Sequence, residues 1–294
     1  LNNWLKQLRV HQWVKNLLLF VPLLASFKFF EATPAFLFLG LAFVSFSLVS
    51  SAVYIFNDVL DLENDRAHSL KRNRPMASGK ISVGAGLLVG TASLLIGLLV
   101  GFFVGTNFFI AVLAYLGFTF VYSIWLKHWA LVDVISLAGL YTLRVIAGGF
   151  ASGIEVSYWL LAFSIFFFLS LAWVKRYAEL ESIQKSGFTQ AVGRAYSTTD
   201  MPLILAFGAS SGVLAVVIFA LYLDSAAIRV DYALPQVGWL AIPFIMYLVG
   251  RMWFKAHRGE MNQDPLLYLF RDWPTIFTVV LLAASLVIAH LGFG

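Results

Sequence analysis

What most constrains this chain is a recurrence. Nine stretches of predominantly apolar residues follow one another, approximately 13–31, 34–56, 82–104, 107–126, 130–151, 157–174, 202–223, 236–255 and 273–293. Each is close to the roughly 20 residues a helix needs to cross about 30 Å of hydrocarbon. The chain is 61% hydrophobic and only 12% charged, where a soluble domain carries about 25% charged residues. So few charges cannot cover a core of this size, and the mean hydropathy of +0.85 agrees. Lipid must be the solvent for most of the surface. Lipid satisfies no backbone polar group, so the spans are helices unless the chain closes into a barrel. The alternation of a barrel strand is absent. The expected fold is all-α, a polytopic bundle of nine transmembrane helices forming one domain over 1–294. The first stretch, interrupted by Pro22 and Lys28, is the least regular. With no cysteine, disulfides and thiolate metal sites are excluded.

Basic residues orient the spans. With a cytoplasmic N-terminus, alternate assignment puts 17 of the 20 Lys and Arg residues on the cytoplasmic side. Lys28 and Arg229 fall outside, and Arg144 lies within a span. This predicts an N-in, C-out protein of the cytoplasmic (inner) membrane. The orientation also accounts for the +5 net charge, so no nucleic-acid partner is expected. Residues 1–15, with Lys6, Arg9, His11 and Lys15, read as an amphipathic lead-in helix and not as a cleaved signal peptide. The long inner loops 57–81, 175–201 and 256–272 are where binding and catalysis are expected. In the third stretch Gly86, Gly90, Gly97, Gly101 and Gly105 are small residues at helical spacing, suited to close helix packing. His11, His68, His128, His257 and His290 lack metal-ligand spacing and read as interfacial or loop residues.

The second stretch runs into Asn57-Asp58-Val59-Leu60-Asp61-Leu62-Glu63-Asn64-Asp65. On a helix Asp58, Asp61 and Asp65 share one face with Asn57 at its edge, while Glu63 points elsewhere. Three carboxylates on one strip repel one another, and a divalent cation relieves the repulsion. Carboxylate and amide oxygens suit hard Mg²⁺, which keeps some waters and bridges to phosphates. Arg66, Lys71, Arg72, Arg74 and Lys80 follow directly. Acids and bases interleaved beside a membrane match what a Mg²⁺–diphosphate site needs.

This motif, with Arg72-Asn73-Arg74-Pro75-Met76-Ala77-Ser78-Gly79 after it, resembles the first aspartate-rich motif of the UbiA superfamily of intramembrane prenyltransferases. The resemblance implies a UbiA-like helical bundle with cytoplasmic cap loops, and Mg²⁺ at Asp58, Asp61 and Asp65. Typical members carry a second aspartate cluster at the inner end of the sixth helix. Here that place reads Val174-Lys175-Arg176-Tyr177-Ala178-Glu179-Leu180-Glu181. The segment is similar to that of the polyprenyl-phosphate (decaprenyl-phosphate) phosphoribosyltransferases. So are His11 to Asn16, Tyr122-Ser123 with Lys127, Asp133 through Leu143-Arg144 to Gly148, and Asp264-Pro265 with Arg271-Asp272. This subfamily implies transfer of 5-phosphoribosyl from phosphoribosyl pyrophosphate to a polyprenyl phosphate.

The lipid phosphate is already anionic, so such a transfer needs positioning and charge stabilisation rather than a general base. The expected catalytic residues are Asp58, Asp61, Asp65 and Arg144, an ionisable residue deep in a span. The expected substrate contacts are Asn57, Lys15, Lys71, Arg72, Arg74, Tyr122, Lys127, Asp133, Lys175, Arg176 and Tyr177. Arg74 and Arg176 suit bidentate phosphate contacts. Asp133 is either a second metal ligand or the anchor of a basic residue. Two alternatives compete: a UbiA-type enzyme moving a polyprenyl group from its diphosphate to an aromatic or other small acceptor, and, behind it, a transporter. The sequence leaves the oligomeric state open, a homo-oligomer included.

Overall fold

Apolar composition over twenty residues leaves a chain in lipid one way to satisfy its backbone, and the computed structural model of the protein takes it. The structure describes residues 2–28, 33–67, 71–189, 194–225, 228, 232–261 and 264–292. Among them eight helices are long and apolar enough to cross a membrane: Pro34–Leu60, Val83–Val104, Thr106–Ile124, Val132–Ser152, Tyr158–Lys185, Thr198–Asp224, Pro235–His257 and Trp273–Leu291. They coincide with eight of the nine expected stretches. The first stretch differs. It forms eleven residues of 3-10 helix, Val10–Phe20, followed by a five-residue α-helix, Val21–Ala25. Pro22 opens that α-helix, where its missing N–H costs nothing. The piece is short of the usual crossing length in residues, so the nine spans of the sequence become eight and this shorter helix. Residues 29–31 of that stretch, residue 293, His68 and Arg229 lie outside the described residues.

The helices relevant below are α1 (Asn2–Gln7), α2 (Val21–Ala25), α3 (Thr33–Leu60), α4 (Leu62–Ala67), α5 (Val83–Val104), α6 (Thr106–Ile124), α7 (Val132–Ser152), α8 (Tyr158–Lys185), α9 (Met201–Asp224), α10 (Pro235–Gly238), α11 (Ala241–His257), α12 (Pro265–Leu269) and α13 (Trp273–Leu291). They form two compact units. The first comprises Leu1–Ile124 and Leu143–Glu155, the second Trp125–Thr142 and Val156–Gly294. Helix α7 gives its first half to the second unit and the rest to the first.

In the first unit α3 packs chiefly on α5, and four of the five expected glycines make the contact, while Gly105 lies just past the helix end with nothing within 4 Å of its Cβ position. A Cβ on Gly86 would meet Met76 Sδ at 2.8 Å, one on Gly90 would meet Ile55 Cγ2 at 3.0 Å, and one on Gly101 would meet Ser45 Oγ at 2.9 Å. Gly97 is the tightest against main chain. Its Cβ would sit 2.9 Å from Val49 Cγ2 and 3.1 Å from Ser45 O, and Ser45 Oγ donates to Gly97 O at 2.7 Å. Gly97→Ala is therefore expected to lower stability by about 1–3 kcal/mol through overpacking. Gly84→Ala, with nothing within 4 Å of its Cβ, should be neutral or slightly stabilising. Thermal unfolding of both variants in detergent checks this, and equal effects would refute the packing role. Helix α3 has 28 residues, about 42 Å of rise. It therefore outruns the hydrocarbon and carries its last turns to the polar boundary.

In the second unit α8 packs on α9, and α11 on α8, α9 and α13. Ser170 Oγ donates to Gly208 O at 2.8 Å and accepts from Trp253 Nε1 at 3.1 Å, with the Trp253 ring directly against Gly208. Asp272 caps α13 by accepting from Thr275 N. It also takes both arms of Arg251 at 2.6 and 2.8 Å. The Arg251 bond holds the Asp272 carboxyl well below the usual carboxylate range. A depressed folded-state value means that the stabilisation is present at neutral pH. It is lost only as the pH falls below about 4, where the unfolded carboxyl protonates. The stability advantage of wild type over Asp272→Asn should thus be flat from pH 7 to 5 and shrink below 4, as thermal scans across that range would read. An advantage that grows on acidification would contradict it.

Candidate active site

The acidic segment continues the register of α3. Asp61 N donates to Asn57 O at 2.9 Å and Asp65 N to Asp61 O at 2.8 Å, so α4 follows α3 with Asp61 at the junction. Seven residues are nearly two whole turns, which returns Asp58 and Asp65 to one face. Both are buried, at 4% and 2% exposure. Asp61 is exposed. The structure thus buries two of the three expected carboxylates and leaves the third exposed. Among the described residues no three His, Cys, Asp or Glu side chains converge on a metal-sized space.

What joins Asp58 and Asp65 is Arg74. Its Nη1 donates to Asp58 Oδ1 at 3.0 Å and to Asp65 Oδ2 at 2.6 Å. The segment 71–81 holds it there. Lys71–Asn73 form a 3-10 turn, and Ser78 N, Gly79 N and Ile81 N return to Arg74 O, Met76 O and Pro75 O. Gly79 supplies the positive φ of 75° that closes the turn. Met76 and Ile81 are buried with Ile55 in a cluster that also receives Trp4, Leu8, Val59 and Leu62. Apolar anchors thereby fix a polar hook. Arg66 Nε donates to Ala77 O at 3.4 Å. Lys71 and Arg72 are exposed beside it.

The N-terminal segment completes the site, which the sequence did not reveal. Leu8 O accepts from Ser51 Oγ at 2.7 Å, docking α1 on α3. Arg9 follows in the left-handed region, φ 50° and ψ 46°, an uncommon conformation for a non-glycine residue. Its Nη2 donates to Asp58 Oδ1 at 2.7 Å, and its guanidinium lies 4.5 Å from the centre of the Tyr54 ring. Gln7 Nε2 donates to Asp58 Oδ2 at 2.9 Å. Asn57 Nδ2 reaches Ser123 Oγ at 3.4 Å, and Tyr122 is half-buried beside that serine.

Deeper in the same unit Arg144, buried, donates from Nε to Asn16 Oδ1 and from Nη2 to Tyr115 Oη, each at 3.0 Å. Asn16 Nδ2 continues to Ser47 Oγ, and Tyr115 Oη shares a hydrogen with Ser50 Oγ. Lys15 is also buried. Arg144 is thus tied into a polar network crossing α3, α6 and the 3-10 segment.

In the second unit Leu131, at φ 65°, turns the chain into α7, and its N–H is caught by Tyr196 Oη at 2.9 Å. Burial pushes the Tyr196 hydroxyl up to about 12. Two residues on, Asp133 accepts Arg176 Nε at 2.5 Å, Arg176 Nη2 at 3.1 Å and Arg194 Nη1 at 2.9 Å. Arg176 also donates to Glu179 Oε2 at 2.5 Å. Asp133 therefore anchors a base, one of its two expected roles. The bidentate guanidinium fork of Arg176 is used on Asp133, not held open for phosphate. Lys175 Nζ lies 3.3 Å from Asp264 Oδ2, and Tyr177 Oη is 2.9 Å from His257 Nδ1. Lys127 sits half-buried in the short 3-10 turn Leu126–His128. Gln7, Arg9 and Tyr115 were absent from the sequence expectation, and no local pattern marks them.

Residues 18–271 match the UbiA prenyltransferase family. The chain belongs to that family. As a member of that family it is a multi-pass membrane protein. It is 37% identical to the uncharacterized protein y4nM of Sinorhizobium fredii over 98% of this chain, spanning 56% of that longer protein. With the nodulation protein NoeC of Azorhizobium caulinodans it shares 33% identity over 95% of this chain and 90% of NoeC. With decaprenyl-phosphate phosphoribosyltransferase of Mycobacterium tuberculosis it shares 32% over 91% of this chain and 87% of that enzyme. A UbiA homolog from Archaeoglobus fulgidus, solved bound to GPP and Mg²⁺, superposes with a TM-score of 0.70 at 21% identity, covering 96% of this chain and 97% of that one. That likeness carries the fold. Two buried carboxylates beside an excess of cations have the donor chemistry a hard divalent ion takes. One cationic nitrogen, that of Arg74, already lies between them.

Proposed function

We propose that this UbiA-family protein transfers 5-phosphoribosyl from phosphoribosyl pyrophosphate to a polyprenyl phosphate at the cytoplasmic face of the inner membrane. The observation that carries this reading is the phosphoribosyltransferase likeness over nine-tenths of the chain. It is supported by Lys175-Arg176 standing where prenyl-transferring relatives have a second aspartate cluster. There Arg176 is paired with Asp133 and Glu179.

In this mechanism Asp58 and Asp65 would hold Mg²⁺, which would supply charge neutralisation to the leaving diphosphate. Arg74, released from the carboxylates, turns its fork to the diphosphate oxygens. Lys71 and Arg72, exposed on the same turn, neutralise the rest of the donor's phosphate charge. The bond from ribose C1 to diphosphate oxygen breaks, and the electron pair leaves with diphosphate. A new C1–O bond forms to an anionic oxygen of the lipid phosphate, so no side chain has to remove a proton. Arg144 is a positioning residue that fixes the 3-10 segment and α6 against α3.

Saturable binding of labelled phosphoribosyl pyrophosphate to the detergent-purified protein tests the donor. The expected result is Mg²⁺-dependent binding that Asp65→Asn removes. Binding of geranyl diphosphate but not of phosphoribosyl pyrophosphate would instead support transfer of a prenyl group to a small acceptor.

A further inference from the structure

Helix α11 presents two unlike faces. Leu248, Val249, Met252 and Ala256 are buried. Tyr247, Gly250, Arg251, Phe254, Lys255 and Arg258 follow one another at helical spacing on the other side and line a groove of about 400 Å³. Tyr247 and Phe254 are 46% and 64% exposed. Gly250 leaves a notch between them, because a Cβ there would meet nothing within 4 Å.

The groove is graded along the helix. Its first part is a tyrosine ring and the glycine notch, and its last part carries Arg251, Lys255 and Arg258. Residues 247 to 258 span about 16 Å of helix rise. An apolar part running into a cationic part matches an amphiphile with an anionic head. The aliphatic stems of Lys and Arg cover apolar surface while their charged ends reach the polar boundary.

The three cations are held differently. Arg251 gives two nitrogens to Asp272 at 2.6 and 2.8 Å and a third to Tyr247 Oη at 3.4 Å, so it forms a fixed wall. Lys255 pairs with Glu260, which is exposed. Such an exposed pair is worth little, so Lys255 exchanges it for a phosphate at small cost. Arg258, just past the helix end, lies over the Phe254 ring at 5.6 Å from its centre. Three cations against these two carboxylates leave the groove net positive, and an arginine fork takes phosphate oxygens in pairs.

We propose that this groove binds an anionic glycerophospholipid, with Lys255 and Arg258 on its phosphate and an acyl chain laid across Gly250. Exposure decides the occupant. A groove open along its length equilibrates with the surrounding bilayer, where phospholipid is the abundant amphiphile, and occupancy follows concentration. The positive charge then selects anionic headgroups over zwitterionic ones.

The test is titration of the delipidated full chain in detergent with phosphatidylglycerol and with phosphatidylcholine of the same acyl chains. Bound lipid is counted by native mass spectrometry, and the shift of the thermal midpoint is read alongside. Wild type is expected to prefer phosphatidylglycerol on the order of tenfold. Lys255→Gln with Arg258→Gln should abolish that preference. Gly250→Leu keeps every charge but fills the notch, and should weaken binding of both lipids. Lys6→Gln with Lys80→Gln removes as much charge elsewhere and should leave the preference intact. Equal binding of the two lipids by wild type would overturn the site. So would a preference that survives the Lys255 and Arg258 substitutions, one lost equally in the Lys6 and Lys80 control, or unchanged binding in Gly250→Leu. Displacement of phosphatidylglycerol by inorganic phosphate would make this a free-anion site, and tighter binding of polyprenyl phosphate would give it to that lipid. Either result overturns the assignment to a phospholipid. Should Gly250→Leu fail to fold, the Lys255 and Arg258 substitutions, on partly exposed side chains, still decide.

Discussion

Asp58→Asn is expected to abolish turnover while the protein still inserts and purifies. The substitution keeps the shape and removes the charge. Charge stabilisation of the leaving group by a bound metal is worth several kcal/mol. At 1.36 kcal/mol per decade, its loss lowers the rate by about a thousandfold or more. The structural cost is smaller. Arg9 and Arg74 lose a partner, but their side chains are 24% and 30% exposed, so water can take up the released donors and the penalty of a fully buried charge does not apply. Asp65→Asn should behave alike, because Arg74 retains Asp58. Asp61→Asn, on the exposed side, is expected to cost far less. Rates in reconstituted vesicles, with thermal midpoints of the same preparations, separate chemistry from folding. A wild-type rate in Asp58→Asn would remove the metal site.

The second large effect is structural. Asp133 is fully buried and faces Arg176, which is 2% exposed. Asp133→Ala takes from that buried guanidinium both of its bonds to the Asp133 carboxylate. Breaking a buried pair in this way costs about 3–5 kcal/mol, a large part of the stability of an ordinary domain. Asp133→Ala should therefore reach the membrane in low yield, with a strongly lowered midpoint. Joint replacement, Asp133→Leu with Arg176→Met, removes both charges and should recover much of the loss, as buried pairs often exchange for apolar residues at little cost. A folded Asp133→Ala protein with normal stability and no activity would give Asp133 a direct role in catalysis instead.

The two experiments reflect what the sequence made legible. The eight long spans follow from apolar length alone, and the glycine face of α5 from spacing at helical period, because both are local properties. The acid strip was readable for the same reason, and Asp58 and Asp65 do share a buried face. Asp61 stands at the junction after Leu60 and is exposed, and no residue such as Pro or Gly announces that junction. Partners were harder. Gln7 and Arg9 reach Asp58 from 51 and 49 residues away, and Arg144 meets Asn16 across 128. No periodicity encodes such separations. Arg176 illustrates the limit well: its charge was plain, yet whether it met phosphate or carboxylate depended on Asp133, 43 residues earlier. The first apolar stretch was misjudged in form because composition does not distinguish a 3-10 helix from an α-helix, and Pro22 suits the start of a new helix as well as a kink.

The most direct test of the whole account is turnover with phosphoribosyl pyrophosphate labelled in the ribose, polyprenyl phosphate in vesicles, and Mg²⁺ present or chelated. The account predicts ribose label in the lipid phase only with Mg²⁺, and one diphosphate released for each label transferred. No lipid-phase label under any condition, together with a prenylated product from polyprenyl diphosphate and an aromatic acceptor, would contradict it.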